Sequence, residues 1–195
     1  MPLYKHRDKI LLHIHVPKTG GTTIMNDLED RGVAVSYITK ASKPEYGNVP
    51  PQHMTLEYTM KYFDLDQTKS FAVIRHPWQR TVSEYVWRKR SKNFNDLNSW
   101  IKETLTDIDH AQHQNHFLPQ TQFIDRARTK LFRYDAWDSI CEWVGKELAV
   151  ENFTTKYWKQ KRLDYTLPSF DLLDVDAKSL WKNLYREDLD LYNQL

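Results

Sequence analysis

Short apolar runs alternate with longer amphipathic segments along the chain. Four of the runs are rich in β-branched and aromatic residues and are bounded by polar or turn-forming residues, a pattern typical of buried strands. The predicted strands cover residues 9–16, 33–39, 70–75 and 130–134. All but the second of these runs lead directly into a segment with helical spacing, so strand and helix alternate.

The longer segments predict helices, because their apolar residues recur every three or four positions. These helices cover residues 22–30, 56–63, 77–90, 95–105, 136–148 and 177–195. Gly32 is placed to end the first helix, Pro77 to begin the third, and Asp135 to cap the fifth. The apolar side of the last helix is predicted to hold Leu180, Leu184, Leu191 and Tyr192.

This alternation predicts an α/β fold with a mainly parallel central sheet flanked by helices. We expect residues 1–195 to form a single domain, because the length is that of one globular unit and 40% of the residues are hydrophobic. In such folds the ligand lies at the carboxyl ends of the strands. The residues that follow the strands are therefore the first candidates for a binding site.

Charge and targeting patterns narrow the class of protein. The formal net charge is only +2, so we expect no nucleic-acid partner, and any anion site has to be local. No membrane span is predicted, and residues 1–9 lack the apolar core of a signal peptide. The expected location is the cytoplasm. Cys141, the single cysteine, fits a small core position.

Residues 17–23, with the sequence PKTGGTT, connect the first predicted strand to the first helix. Adjacent glycines let backbone N–H groups turn towards an anion, and the helix N-terminus adds positive partial charge. The predicted anion-binding residues are Lys18, Thr19, Gly20, Gly21, Thr22 and Thr23. A turn that uses glycine only for backbone geometry is the alternative, but it leaves the lysine and threonines unexplained. A Walker A loop is excluded because its lysine follows the glycines.

A second anion pocket is predicted in residues 75–85, with the sequence RHPWQRTVSEY. Arg75 follows a strand and offers a planar, permanently charged donor group. It also stands where a metal-dependent phosphotransferase needs a carboxylate. Ser83 offers a hydroxyl group further along the helix. Either residue alone has an ordinary structural explanation, but two pockets at one sheet edge fit a nucleotide with 3′ and 5′ phosphates.

The two motifs resemble those of sulfotransferases that use 3′-phosphoadenosine 5′-phosphosulfate (PAPS), particularly carbohydrate sulfotransferases of the heparan sulfate 2-O type and their bacterial relatives. PKTGGTT matches the loop that holds the 5′-phosphosulfate in that family, and RHPWQRTVSEY matches the segment whose arginine and serine hold the 3′-phosphate. His76 replaces the usual Asn or Asp. Weaker similarities occur at QHMT, HFLPQTQFI, KLFRYDAWDSI and LYREDLDLY.

The resemblance implies a three-layer, P-loop-like α/β fold and transfer of a sulfuryl group from PAPS to an acceptor hydroxyl. It implies that Lys18 acts near the bridging oxygen of the donor, and that no metal is needed, because a sulfuryl group carries less negative charge than a phosphoryl group. A saccharide is the favoured acceptor. The alternatives are a non-catalytic nucleotide- or carbohydrate-binding module and a P-loop kinase-like phosphotransferase.

A hydroxyl acceptor needs a general base, and histidine is the usual choice. His53 is the first candidate, because it matches a histidine that the family places before the third strand. His116 is the second candidate and, with Gln120, is also expected to contact the acceptor. Glu57 could orient His53 or act as the base itself.

Other histidines and basic clusters receive lesser roles. His15 is expected to orient the loop rather than to react, and His13 alternates with it on the same strand face. A metal site at His110, His113 and His116 is disfavoured, because their spacing drifts around a helix and no thiolate accompanies them. Lys161 and Arg162 are predicted to cover the nucleotide or acceptor. The proposed aromatic platforms are Trp100, Tyr157 and Trp158.

Overall fold

The computed structural model describes residues 1–89, 96–106, 108–109, 113–155 and 168–195. Its five strands form one sheet in the order β3-β1-β2-β4-β5. The strands are β1 (Leu3–His6), β2 (Lys9–Ile14), β3 (Ala34–Ser36), β4 (Ser70–Ile74) and β5 (Thr129–Arg133). The described helices are α1 (Gly21–Glu29), α2 (Leu56–Thr59), α3 (Pro77–Lys89), α4 (Leu97–Leu105), α5 (Trp137–Leu148) and α6 (Val175–Asn193).

The sheet is mixed, which corrects the prediction of a mainly parallel one. β2, β4 and β5 run parallel to one another, whereas β1 pairs antiparallel with both β2 and β3. The sequence did not predict β1, because the turn at Arg7 and Asp8 contains none of the Gly or Asn residues that mark a hairpin. Arg7 instead takes a left-handed backbone with φ of 55°. The predicted second strand shrinks to the three-residue edge strand β3.

Helices cover both faces of the sheet, as predicted. On one face, α1 and α5 pack against alternate strand residues such as Leu11, Phe71 and Val73. On the other face, the neighbouring residues Leu12 and Ala72 pack against α6 and the segments between strands. This alternation follows from the two-residue period of a strand. The result is an α/β architecture in three layers.

Three local predictions for the helices need correction. Ala136, not Asp135, is the N-cap of α5, because the Asp135 carboxylate pairs with Arg133 at 2.8 Å. The buried face of α6 is also rotated from the predicted one, since Leu180 and Leu184 are only half-buried. The buried residues of α6 are Ala177, Trp181, Tyr185, Asp188 and Leu191. Gly32 was predicted to end α1, but the C-cap is Asp30; Gly32 follows two residues later in a left-handed conformation with φ of 80°.

Candidate functional site

A cavity of about 670 Å³ opens beside the carboxyl ends of β2 and β4. This is the edge at which parallel strands of an α/β sheet present ligand-binding residues. Residues 38–40 and 52–53, together with Gln114 and His116, contribute to its walls, as do the loop after β2 and one side of α3. The predicted site residues that line it are Lys18, Gly20, Gly21, Thr22, Thr23, His53, Arg75, Ser83 and His116.

The loop after β2 takes the unusual backbone that its sequence predicted. Lys18 and Gly20 both have positive φ, 69° and 86°, and α1 then begins at Gly21 without a side-chain cap. Thr19 differs from the prediction. Its hydroxyl donates to the Val16 carbonyl at 2.8 Å, and the residue is fully buried, so Thr19 stabilises the loop rather than lining the cavity.

The two glycines allow close packing behind this loop. A Cβ atom on Gly20 would lie 2.7 Å from the Trp137 ring, and one on Gly21 would lie 2.2 Å from the His15 ring. Real Cβ atoms do not approach so closely, so both positions require glycine. His15 therefore packs against the start of α1 and also lines the cavity; its orienting role stays a prediction.

Arg75 reaches from the end of β4 to the same loop. Its Nη1 donates to the Lys18 carbonyl at 3.1 Å, and its guanidinium lies 4.4 Å from the centre of the Tyr134 ring. Gln120 holds the Arg75 backbone, because its amide accepts from Arg75 N at 3.0 Å and donates to Arg75 O at 2.8 Å. Gln120 is fully buried. It is therefore placed to position Arg75, and not to contact an acceptor as the sequence predicted.

Helix α3 presents a row of functional groups to the site at helical spacing. His76 Nδ1 accepts from the Trp78 N–H at 3.2 Å and so takes the capping role for which Asn or Asp is usually chosen. Further along, Ser83 and Trp87 line the cavity, and Glu84 lies beside them with 2% of its side chain exposed. Sequence reasoning found Ser83 but missed Glu84 and Trp87.

Arg80, also on α3, forms hydrogen bonds to two segments that line the site. It is 2% exposed and donates to the carbonyls of Pro17, His116 and Leu118 at 2.8–3.0 Å. The sequence did carry a signal for it, because Arg80 is the second arginine of the RHPWQR motif. Arg80 thereby ties the loop after β2 to the segment that carries His116.

A family model matches nearly the whole chain. The model is described as "Sulfotransferase family", and it matches residues 3–193. The chain belongs to the sulfotransferase family. No curated protein matches the sequence. No solved structure matches it.

In this sulfotransferase, imidazole rings form a row from the sheet to the cavity. Neighbouring ring centres lie 5.4 Å apart between His13 and His15, 5.4 Å between His15 and His53, and 4.8 Å between His53 and His116. Burial, and then the charge of neighbouring groups, lowers the pKa of His15 to about 3. The same causes hold the pKa values of His13 and His53 well below their usual value. Three of these rings are therefore neutral at pH 7.

The remaining predicted site residues are distributed as follows. Glu57 is not among the cavity residues; its side chain is 73% exposed and pairs with Lys61 at 3.0 Å. Trp100 is buried beside Tyr85 and Phe117, so it provides no exposed platform. The other predicted residues lie outside the described part of the chain: His110, Tyr157, Trp158, Lys161 and Arg162.

Neither a metal cluster nor a membrane-spanning helix occurs among the described residues of this sulfotransferase. Within those ranges, no set of three His, Cys, Asp or Glu side chains is arranged to hold a metal ion. In the same part of the chain, no helix is both long and apolar enough to cross a bilayer.

Proposed function

We propose that the chain transfers a sulfuryl group from PAPS to a hydroxyl group of an acceptor, with a saccharide as the acceptor class. The observation that carries this proposal is the meeting of two motifs in one cavity. Lys18 with its loop and Arg75 with Ser83 are separated in the sequence, yet all line the same space. Family membership supports sulfuryl transfer, and the paired motifs support the choice of donor.

The residues present fit such a donor. Gly20 and Gly21 keep the backbone free of side chains where the loop packs against Trp137 and His15, and uncapped α1 begins there. Lys18, Thr22, Thr23 and the backbone N–H groups of this turn would hold the 5′-phosphosulfate. Arg75 and Ser83 would hold the 3′-phosphate. A cavity of about 670 Å³ is within the range of about 300–1,000 Å³ that is usual for ligand sites.

The donor supplies the sulfuryl group, and the chain supplies positioning and charge. The ammonium group of Lys18 is placed to stabilise negative charge that develops on the departing phosphate. A base in the cavity accepts the proton of the acceptor hydroxyl. We propose no metal in this reaction, since the lysine and the arginine supply the positive charge on which the mechanism depends.

Trp87 supports a saccharide acceptor. Its side chain is half exposed, it lines the cavity, and its ring lies 5.0 Å from Lys18 Nζ and 5.7 Å from the His116 ring. Sugar rings pack their apolar faces on such aromatic surfaces, and their hydroxyl groups then face neighbouring polar side chains. Trp87 is thus an aromatic platform that the sequence analysis did not name; of the named platforms, Trp100 is buried, and Tyr157 and Trp158 lie outside the described residues.

The donor site is tested by titrating the 3′,5′-bisphosphate product into the protein in a calorimeter. We expect binding by the unchanged protein and a loss of at least about 10-fold in affinity for Arg75→Lys, because lysine cannot form the paired hydrogen bonds of a guanidinium. Arg133→Lys is the matched control. Arg133 lies on β5 opposite Ile74 of β4 but does not line the cavity. The affinity of the Arg133→Lys variant for the bisphosphate should therefore be unchanged.

Failure to bind the bisphosphate would overturn the proposed function. Incubation with labelled PAPS and a panel of oligosaccharides, lipids and small alcohols tests the transfer step and the acceptor class. Binding of the bisphosphate without transfer to any acceptor would favour the alternative, a non-catalytic binding module.

A further inference from the structure

Glu84 is a buried carboxylate that contacts Lys18, Arg88 and His116, and Lys18 and His116 line the cavity. Arg88 Nε donates to its Oε1 at 2.5 Å. Its Oε2 lies 2.9 Å from His116 Nδ1 and 3.9 Å from Lys18 Nζ. One carboxylate therefore contacts both the lysine proposed to act on the donor and a histidine that lines the cavity.

The Glu84 carboxylate is ionised at neutral pH. Burial alone would raise the pKa of Glu84, but the hydrogen bond and charge of His116, followed by the charges of Lys18 and Arg88, lower it to about 2. An ionised carboxylate only accepts hydrogen bonds. His116 Nδ1 must therefore carry the proton in this contact, and in the neutral ring the lone pair then resides on Nε2.

We propose that His116 is the general base of the transfer reaction and that Glu84 is the positioning residue that fixes its tautomer. This inference rests on the proposed sulfuryl transfer. Glu84 holds the ring against the cavity wall with Nε2 as the proton acceptor, and its negative charge stabilises the imidazolium ion that forms.

The step balances without any further reactant. The acceptor oxygen forms a bond to sulfur while the bond from sulfur to the bridging oxygen of PAPS breaks. The electron pair of the broken bond passes to the phosphate of the departing bisphosphate, beside Lys18. The hydroxyl proton passes to His116 Nε2, and the new positive charge lies next to the Glu84 carboxylate.

His53, the first candidate from the sequence, is less suited to this role. It is 8% exposed, and among the described residues its Nδ1 has no hydrogen-bond partner. Burial, followed by the charges of His15 and His116, holds its pKa well below the usual value. A base whose protonated form is so disfavoured takes a proton poorly near neutral pH.

The titratable and charged groups around His116 come from several elements. They are Glu84 and Arg88 on α3, Lys18 in the loop after β2, and His15 and His53 in the row of rings. Within the described part of the chain, Glu84 is the only anion of this set. Its removal is therefore expected to leave His116 Nδ1 without the carboxylate that accepts its proton.

The test compares Glu84→Gln with Glu84→Asp, His116→Gln and His53→Gln. Glu57→Gln is the matched control, because Glu57 is also a glutamate paired with a cation four residues later, Lys61, but lies outside the cavity. Each protein is checked by thermal unfolding and by calorimetry with the 3′,5′-bisphosphate. Turnover is then followed with labelled PAPS and the acceptor panel, and the His116 tautomer is determined by nitrogen NMR of ¹⁵N-histidine-labelled protein.

We expect Glu84→Gln and His116→Gln to bind the bisphosphate and to lose about 100-fold or more in kcat. In Glu84→Gln the NMR spectrum should lose the preference for a proton on Nδ1, because the carboxylate that accepts this proton is absent. Glu84→Asp should recover part of the activity. Glu57→Gln and the unchanged protein should behave alike.

Three results would overturn the inference. One is an unchanged His116 tautomer in folded Glu84→Gln, which would reduce Glu84 to a structural role. Another is full turnover by His116→Gln together with its loss in His53→Gln, which would make His53 the base. The third is bisphosphate binding without any turnover by the unchanged protein. Absence of bisphosphate binding would instead show that the proposed function itself is wrong.

Discussion

Neighbouring glycines in the loop after β2 serve two different structural needs. Gly20 takes a left-handed backbone with φ of 86°, which glycine adopts without steric cost. Gly21 is the first residue of α1, and its need for glycine comes from the His15 ring 2.2 Å from where a Cβ would lie. The sequence shows the pair of glycines, but only packing distinguishes the two reasons.

Gly21→Ala is expected to weaken binding of the 3′,5′-bisphosphate together with stability, because the new methyl group displaces either His15 or the loop. Gly32→Ala is the comparison. Gly32 has φ of 80°, and no atom lies within 4 Å of the position that a Cβ would take there. This substitution should cost about 1 kcal/mol of stability and leave bisphosphate affinity unchanged. Chemical denaturation and calorimetry provide the two readouts. Equal bisphosphate affinity in the two variants would contradict this view of the loop.

Between elements, the buried pair of Arg80 on α3 and Asp188 on α6 joins the parts of the site. Both Asp188 oxygens accept backbone N–H groups, from Gln120 at 2.8 Å and from Thr121 at 3.1 Å. Arg80 Nη1 lies 3.9 Å from the same carboxylate. Burial raises the pKa of Asp188, and Arg80 and the two N–H groups oppose this shift. The segment that contains Gln120, and through it Arg75, is thus held by α6.

Asp188→Asn is expected to lower the free energy of unfolding by about 2–4 kcal/mol. The asparagine NH₂ group would face a backbone N–H donor, and Arg80 would lose its counter-charge. Asp66→Asn is the control, since Asp66 pairs with Arg128 at 2.6 Å on the surface, with 66% of its side chain exposed. Such exposed pairs contribute up to about 1 kcal/mol. Denaturant titration of both variants measures the difference, and equal losses would refute the importance of burial.

Across the whole molecule, the buried histidines make stability depend on pH. His13, His15 and His53 have folded-state pKa values below their usual 6.5. Below pH 6.5 the unfolded chain therefore binds protons on these histidines, whereas the folded chain does not. The free energy of unfolding is thus highest above this pH and decreases as the pH falls. Glu84 affects the free energy of unfolding in a lower pH range. Its pKa of about 2, against a usual 4.5, gives about 3 kcal/mol that is lost between these pH values.

We expect the free energy of unfolding to fall by roughly 4 kcal/mol per pH unit once the pH is well below 6.5, since each of three protons contributes about 1.4 kcal/mol per unit. His13→Phe should reduce this slope by about a third, because the ring stacked on Phe71 at 4.4 Å no longer titrates. Loss of the hydrogen bond between His13 and Tyr4, at 3.0 Å, should also lower the free energy of unfolding by an amount that does not depend on pH between pH 7 and pH 5. Denaturation curves from pH 7 to pH 5 measure both, and an unchanged slope would show that His13 does not titrate on unfolding.

The sequence alone determined most of the local elements and marked the loop after β2 as a candidate anion site. The positions of β2, β4, β5 and their following helices were predicted, because strand and helix periodicity and the glycine pair are properties of short windows. The roles of Lys18, Arg75 and Ser83 stay predictions, although the cavity brings these residues together. The single-domain organisation and the cytoplasmic location also stay predictions.

Only the tertiary structure decided which residues meet. Gln120, predicted to contact the acceptor, bonds to the Arg75 backbone instead. Thr19 is buried against the Val16 carbonyl, and the antiparallel strand β1 makes the sheet mixed. Glu84 could not be paired with His116, 32 positions away, from any local pattern. The physical reason is that hydrogen bonds and burial depend on distances set by long-range packing, which a periodicity of two or about 3.6 residues does not encode.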